Sequence, residues 1–424
     1  MTFWKSATVS LLGVTAMTLL VSVANAAEVS IFCSSTGAEL ELCQSASEAW
    51  AKETGNTVKI NKMPAQWGEA LPIYQQLLAG KSGDVDVLTL DNIWVGQLAP
   101  HLVNLNEKVP VEEINAHFKS ALADSTIGDQ LLAMPWFLDA GLLFYRKDLL
   151  EKYGKPVPKT WEELTETAAF IQDKEREGGN SDMWGHVWQG RAYEGLTCDA
   201  LEWVASYGGG TFIDPNGDIT VNNPQAVAAL TLASSWIGKI SPEGVLNYDE
   251  EGARGVFEAG NSVFLRNWSY VWGTSQAADS KLKGKVGVTA LPIGKAGEKS
   301  SGCYGAGLLG VSKYADDVDA AVSLVRYLTG AKEQKRRALA AYSPTLEALY
   351  TDADILKAYP FLASVQQAYA DSASRPSAVT GGSYNRISQR IFNGVHNILS
   401  GKEKAEEALA KIAADLERLK KRGW

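Results

Sequence analysis

Between Glu28 and Asp91 the hydrophobic period of the chain switches back and forth. The stretches "EVSIFC", "TVKINKM" and "DVDVLTLD" are short and rich in β-branched residues, whereas "AELELCQSASEAWAKETG" and "WGEALPIYQQLLAGKSG" place apolar residues three and four positions apart. The first pattern fits strands and the second fits helices. Gly55 and Gly80 fall where those helices stop. A helix between successive strands returns the chain in the same direction, so the order predicts a mostly parallel sheet flanked by helices. Ligands bind such sheets beyond the carboxyl ends of the strands, which directs attention to Asp91 and Trp94 in "LDNIWVG". A chain of 424 residues is longer than one hydrophobic core usually fills, and two α/β lobes are expected.

The remaining sequence continues in the same style. "MPWFLDAGLLFYRKDLLEKYG" reads as an apolar strand followed by a short helix, and Thr160 with Glu163 forms a capping box at the start of another. "GGGTFIDPNGDITVNN" is dense in turn formers and reads as a hairpin or loop. "KVGVTALP" and "GAGLLGVSK" read as strands, "DVDAAVSLVRYLTGAKEQKRRALA" as a helical pair, and Ala363 to Lys421 as helices with one loop at "ASRPSAVTGGSYN". "GAGLLG" formally matches GxGxxG, but it runs into a strand where a dinucleotide site needs a helix, and no cofactor is expected.

The amino terminus carries Lys5, the apolar run "ATVSLLGVTAMTLLVSVA" and then Ala24-Asn25-Ala26. That is the pattern of a secretory signal peptide spanning 1–26 and cut before Ala27, with the mature chain in the periplasm. The net charge is −9, and Lys5 is the only charged side chain of the leader. Such an acidic chain is a poor partner for nucleic acid or anionic lipid. His101, His117, His186 and His396 are too scattered for a metal-ligand pattern, so no metal is expected. Four cysteines in an exported chain point to disulfides. Cys33 and Cys43 bracket a turn and a helix start and are expected to pair, for about 3 kcal/mol on the loop-entropy model. Cys198 and Cys303 are either a second bridge or two buried thiols.

Four long blocks carry a family resemblance: "DAGLLFYRKDLLEKYG", "WGHVWQGRAYEGLTCDALEW", "FEAGNSVFLRNWSYVWG" and "GKVGVTALPIG". They resemble the extracytoplasmic solute-binding proteins of carbohydrate ABC importers (family 1), and most of all the trehalose/maltose-binding group. The resemblance implies a two-lobed periplasmic-binding-protein fold with three crossover segments. Lobe 1 would hold 27–138 and 305–343, and lobe 2 would hold 139–304 and, with the C-terminal helices, most of 344–424. It also implies a monomer that closes on an α-glucoside disaccharide and presents it to the membrane permease subunits.

The candidate site follows from chemistry and resemblance together. A pyranose offers a C–H face to an aromatic ring and hydroxyls to polar groups. In "LRNWSYVWG", Trp268 and Tyr270 beside Arg266 and Asn267 suit that need, with Trp272 expected in the core. Carboxylates accept hydroxyl hydrogen bonds in pairs. The resemblance assigns that part to Glu39, Asp91 and Asp139, and gives Arg375 in "ASRPS" a role in holding sugar oxygens. Gln189, Tyr193 and Glu194 are weaker candidates, and Trp67 is either a second stacking surface or a staple. Where relatives carry a Gly-Gly-Trp run this chain has "GAG", so Gly307 replaces a ring and is expected to leave space in the pocket. Paired carboxylates are also the tools of a glycoside hydrolase, the competing reading.

Overall fold

The structure is a computed structural model and describes residues 1–2, 26–34, 37–64, 67–295 and 297–424. The apolar run of the expected signal peptide lies outside the described residues. No helix among those described is long and apolar enough to cross a membrane.

Strands β1 (Glu28–Cys33), β2 (Thr57–Lys62) and β3 (Val87–Asp91) come from the alternating amino-terminal region. A short ribbon, β4 (Thr126–Ile127) with β5 (Gln130–Leu131), precedes β6 (Ala133–Ala140). Then follow β7 (Leu142–Arg146), β8 (Trp184–Val187), β9 (Ser262–Asn267), β10 (Val286–Ala290) and β11 (Tyr304–Val311). They form two main sheets, ordered β2-β1-β3-β11-β6 and β10-β7-β9-β8. Each sheet is the centre of one lobe.

Alternation along the strands sorts the two faces of each sheet. In the first, Val87, Leu309 and Val311 pack with Trp50 and Leu324, while Leu88, Leu90 and Leu308 pack with Tyr74 and Leu98 on the opposite side. In the second, Leu143 and Phe264 meet Trp161, Leu201, Trp236 and Ile391, while Phe144 and Leu265 meet Phe257, Leu346 and Ile355. Helices on both faces of both sheets therefore bury apolar rows that the sequence period had displayed.

The expectation of mostly parallel sheets needs correction. β1 is parallel to β2 and β3, and β8 to β9, as helical crossovers require. By contrast β11 is antiparallel to both β3 and β6, and β7 to both β10 and β9. The reason is that β6, β7 and β11 carry the chain between lobes instead of looping back over one of them, so no helix fixes their direction. Gly141 alone separates β6 from β7. A Cβ there would stand 1.9 Å from Glu202 Oε1 and 2.8 Å separates the Cβ position of Gly302 from the Gly141 carbonyl oxygen, so two crossing segments touch through glycine. Beside the first crossing, the Ser343 carbonyl accepts the Leu138 amide at 2.9 Å.

Several local readings hold. Thr160 accepts from the Glu163 amide at 3.1 Å, and the Glu163 carboxylate returns to the Lys159 amide at 2.7 Å. Cys33 is bonded to Cys43, and the open question over the other two cysteines is resolved as a bridge between Cys198 and Cys303. This second bridge ties the helix Glu194–Ser206 of lobe 2 to the segment that leads into β11.

Candidate functional site

Register brings the candidates to one end of the first sheet. On β11, Gly307 pairs with Asp91 of β3 on one side and with Phe137 of β6 on the other, and Gly305 pairs with Asp139. A Cβ on Gly307 would lie 2.1 Å from Phe137 Cε1. The space expected from the missing ring is therefore not open: the Phe137 side chain fills it. Trp67 joins the same aromatic group, its ring centre 6.2 Å from those of Trp94 and Phe137.

The second lobe contributes the segment after β9. The strand β9 ends at Asn267, and a short helix, Val271–Ser275, begins directly after Tyr270. Trp268 stands at the turn, half-buried, its ring edge 3.5 Å from the Cβ position of Gly305. Behind the indole lies the Arg266 guanidinium, 4.2 Å from the ring centre. Arg266 is 1% exposed and is held by Glu202, by Gln189 Oε1 at 2.9 Å and by Asp199 Oδ1 at 3.0 Å. Gln189 is thus used inside the lobe, not in the cleft. A cation fixed against one face of an indole sets the plane of the ring. Trp268 Nε1 faces Glu250 Oε1 at 3.4 Å, and Tyr270 donates its hydroxyl to Glu251 at 2.6 Å. Trp272 packs edge-on against Phe361 at 4.9 Å, on the core of lobe 2 as expected.

Asp139 and Ser269 link the two lobes at this point. Ser269 donates to the Asp139 carboxylate twice, from its amide at 3.1 Å and its hydroxyl at 3.2 Å. Burial pushes the Asp139 carboxyl up to about 7, against the opposing hydrogen bonds from Ser269 and Ala140. Since Ser269 lies between Trp268 and Tyr270, the carboxylate anchors the aromatic turn to the crossover strand.

Arg375 forms the other link. Its Nη2 donates to Asp91 Oδ1 at 3.0 Å and Asn92 Oδ1 at 2.9 Å in lobe 1, and its Nη1 donates to Glu194 Oε1 at 3.1 Å in lobe 2. Glu194 also accepts from the hydroxyls of Tyr384 at 2.5 Å and Ser388 at 2.6 Å. Burial raises the Glu194 carboxyl, while Arg375 and these donors pull it down. Tyr193 precedes the helix and lies over Gly195, with Glu250 as its charged neighbour. Glu39 sits in the first turn of the helix Gly37–Thr54, where burial raises its carboxyl and the Arg337 charge opposes that rise. Sequence reading missed Phe137, Asn92 and Glu250, and it did not foresee the platform formed by Arg266. The acid-rich helix start "DEEGARG" was the one available signal for Glu250.

This constellation presents a ring and polar edges, with acceptors on both lobes: equipment for holding a polyhydroxylated molecule. Among the described residues, no group of three or more His, Cys, Asp or Glu stands together as a metal site. The model of the bacterial extracellular solute-binding protein family matches residues 40–335. The chain belongs to that family. Its relatives include a protein of Deinococcus radiodurans described as "Probable ABC transporter-binding protein", 45% identical over 417 residues, which are 98% of this chain and 99% of that one. The maltodextrin-binding protein MdxE of Bacillus subtilis is 27% identical over 68% of this chain and 66% of its own length. A solved structure, "Maltose bound T. maritima MalE3", is 36% identical with a TM-score of 0.87, covering 93% of this chain and 100% of that one.

These similarities uphold the resemblance read from the sequence blocks. As a solute-binding protein the chain is a carrier for an ABC importer and not an enzyme, so the glycoside hydrolase reading is set aside. An extracellular family also places its working site outside the cytoplasm.

Proposed function

We propose that this solute-binding protein takes an α-glucoside disaccharide, of the trehalose, maltose or sucrose type, into the cleft between its lobes and delivers it to the membrane permease as a monomer. The observation that carries the reading is the half-buried Trp268 ring, clamped on Arg266 at 4.2 Å and standing against the crossover glycine, among carboxylates of both lobes. A ring fixed in plane loses little freedom when a sugar face covers it, which favours binding. Tyr270, Asp91 and Arg375 surround the hydroxyl rim, Tyr193 and Gly307 shape the wall, and Asp139 holds the aromatic turn in place. The division at about 138, 305 and 343 lets the lobes rotate about three crossovers. That a relative of 36% identity is described as maltose-bound supports the ligand class.

Calorimetric titration tests this directly. The mature protein, unfolded and refolded to strip carried-over sugar, is titrated with trehalose, maltose and sucrose. Saturable binding to at least one, with no glucose released on long incubation, is the expected result. Binding to none of the three would overturn the α-glucoside assignment.

A further inference from the structure

Three distant parts of the chain meet at the Glu202 carboxylate. It accepts Arg266 Nε on one oxygen at 2.7 Å and Arg266 Nη2 on the other, and that second oxygen also accepts the Cys303 amide at 2.9 Å. Gly141 passes it without a side chain, because a Cβ there would overlap Oε1. Glu202 is fully buried, and these donors offset the cost of burying its charge. A carboxylate that takes two N–H groups of one guanidinium sets the plane of that group. The Arg266 plane in turn carries the Trp268 indole, whose centre is 4.2 Å away.

What holds the Cys303 amide in place is covalent. Cys198, bonded to Cys303, precedes Glu202 by one turn on the same face of the helix Glu194–Ser206. The bridge and the hydrogen bond therefore grip residue 303 from a single helix face. On its other side the segment pairs with Ala373: the Tyr304 amide donates to the Ala373 carbonyl at 2.9 Å, and the Ala373 amide to the Gly302 carbonyl at 2.8 Å. Tyr304 begins β11, and Ala373 lies just before Arg375. One sulfur–sulfur bond thus fixes a helix of lobe 2 against the strand that carries Gly305 and Gly307, and against the segment that carries Arg375.

We infer that the Cys198–Cys303 bridge is a positioning element of the sugar site, and that Glu202 transmits its hold through Arg266 to the Trp268 ring. This rests on the carbohydrate reading proposed above. Without the bridge, residue 303 is held from the Ala373 side alone, and Glu202 loses the tether that keeps its second oxygen turned towards β11. Asp199 and Gln189 still keep the cation inside the lobe, so the ring stays in place while its angle loosens. A binding site whose supporting groups are loose loses affinity even when every contacting residue is present. A bridge that served stability alone would act on the unfolded chain and leave the folded site as it was.

The test titrates maltose and trehalose into the full mature chain, well below the unfolding temperature of each protein. Wild type is compared with the double variant Cys198→Ala/Cys303→Ala, with Glu202→Gln, and with the two combined. Leu409→Ala, in the helix Ala405–Lys420 on the core of lobe 2, serves as a control for lost stability. Affinity should fall at least fivefold in the double cysteine variant and in Glu202→Gln, and combining them should cost less than the product of the two losses, since both act through Arg266. Leu409→Ala should lower the unfolding temperature and leave affinity within twofold of wild type. Affinity within twofold of wild type in the double cysteine variant, or an equal loss of affinity in Leu409→Ala, would overturn the positioning role and leave the carbohydrate reading intact. If wild type binds neither sugar, that reading fails and this inference with it. Should the double cysteine variant not fold, Glu202→Gln decides by the same twofold threshold.

Discussion

Trp268 shows how much a single side chain depends on what lies behind it. Its indole is oriented by Arg266, and Arg266 by Glu202, Asp199 and Gln189. Trp268→Ala should therefore cost roughly 2 kcal/mol or more of binding, about thirtyfold in affinity, as buried aromatic contacts do. Titration with the sugar that wild type binds checks this, and a loss under threefold would remove the stacking role. Asp139 makes a prediction of a different kind. Burial, opposed by Ser269 and Ala140, raises its carboxyl to about 7, so the folded state holds the proton more tightly than the unfolded state. Its contribution to stability therefore declines as pH rises from the ordinary carboxyl range near 4 to about 7. Asp139→Asn keeps an acceptor for the Ser269 amide and removes the titration. Thermal unfolding of the two proteins should show the difference moving in favour of Asn across that interval and level on either side of it.

At the scale of elements, the crossovers are where small changes travel. β6 and β7 are one residue apart, and that residue lies on the buried pair beneath Trp268. A Cβ at Gly141 would stand 1.9 Å from Glu202 Oε1 and 2.6 Å from Arg266 Nη2. Gly141→Ala must displace Arg266, and overpacking of this kind typically costs about 1–3 kcal/mol. The expected outcome is a lower unfolding temperature together with weaker sugar binding. Weaker folding with unchanged affinity would show that the platform does not transmit the strain. The strands and helices themselves were legible from period and from caps such as Thr160. Strand direction was legible only where a helix joins two strands of one sheet, as from β1 to β3. For β6, β7 and β11 the direction depends on which lobe the chain is entering, and no local pattern of residues records that.

For the whole molecule, Arg375 is a clasp between lobes: Asp91 and Asn92 on one side, Glu194 on the other. Removing it leaves two partly buried carboxylates without their common partner, and breaking one half of a buried pair is more damaging than never having had it. In solution scattering, sugar should reduce the radius of gyration of wild type, as lobe closure requires. Arg375→Ala should show a smaller contraction and weaker binding, with Arg375→Lys intermediate because it keeps the charge but loses the fork. An equal contraction in wild type and Arg375→Ala would place the closing interaction elsewhere.

By itself the sequence determined the alternation of strands and helices, the pairing of Cys33 with Cys43, the family through four long blocks, and a set of residues at the strand ends. Those are local quantities: hydrophobic period, turn chemistry, a separation of 10 residues between two cysteines. Tertiary structure alone decided the bond between Cys198 and Cys303, which are 105 residues apart. It also decided the direction of the crossover strands, the Phe137 ring in the place left by Gly307, and the Arg266 cation under Trp268. Each of these joins segments distant in the chain through register and close packing, and the contacting surfaces exist only once both sheets have formed.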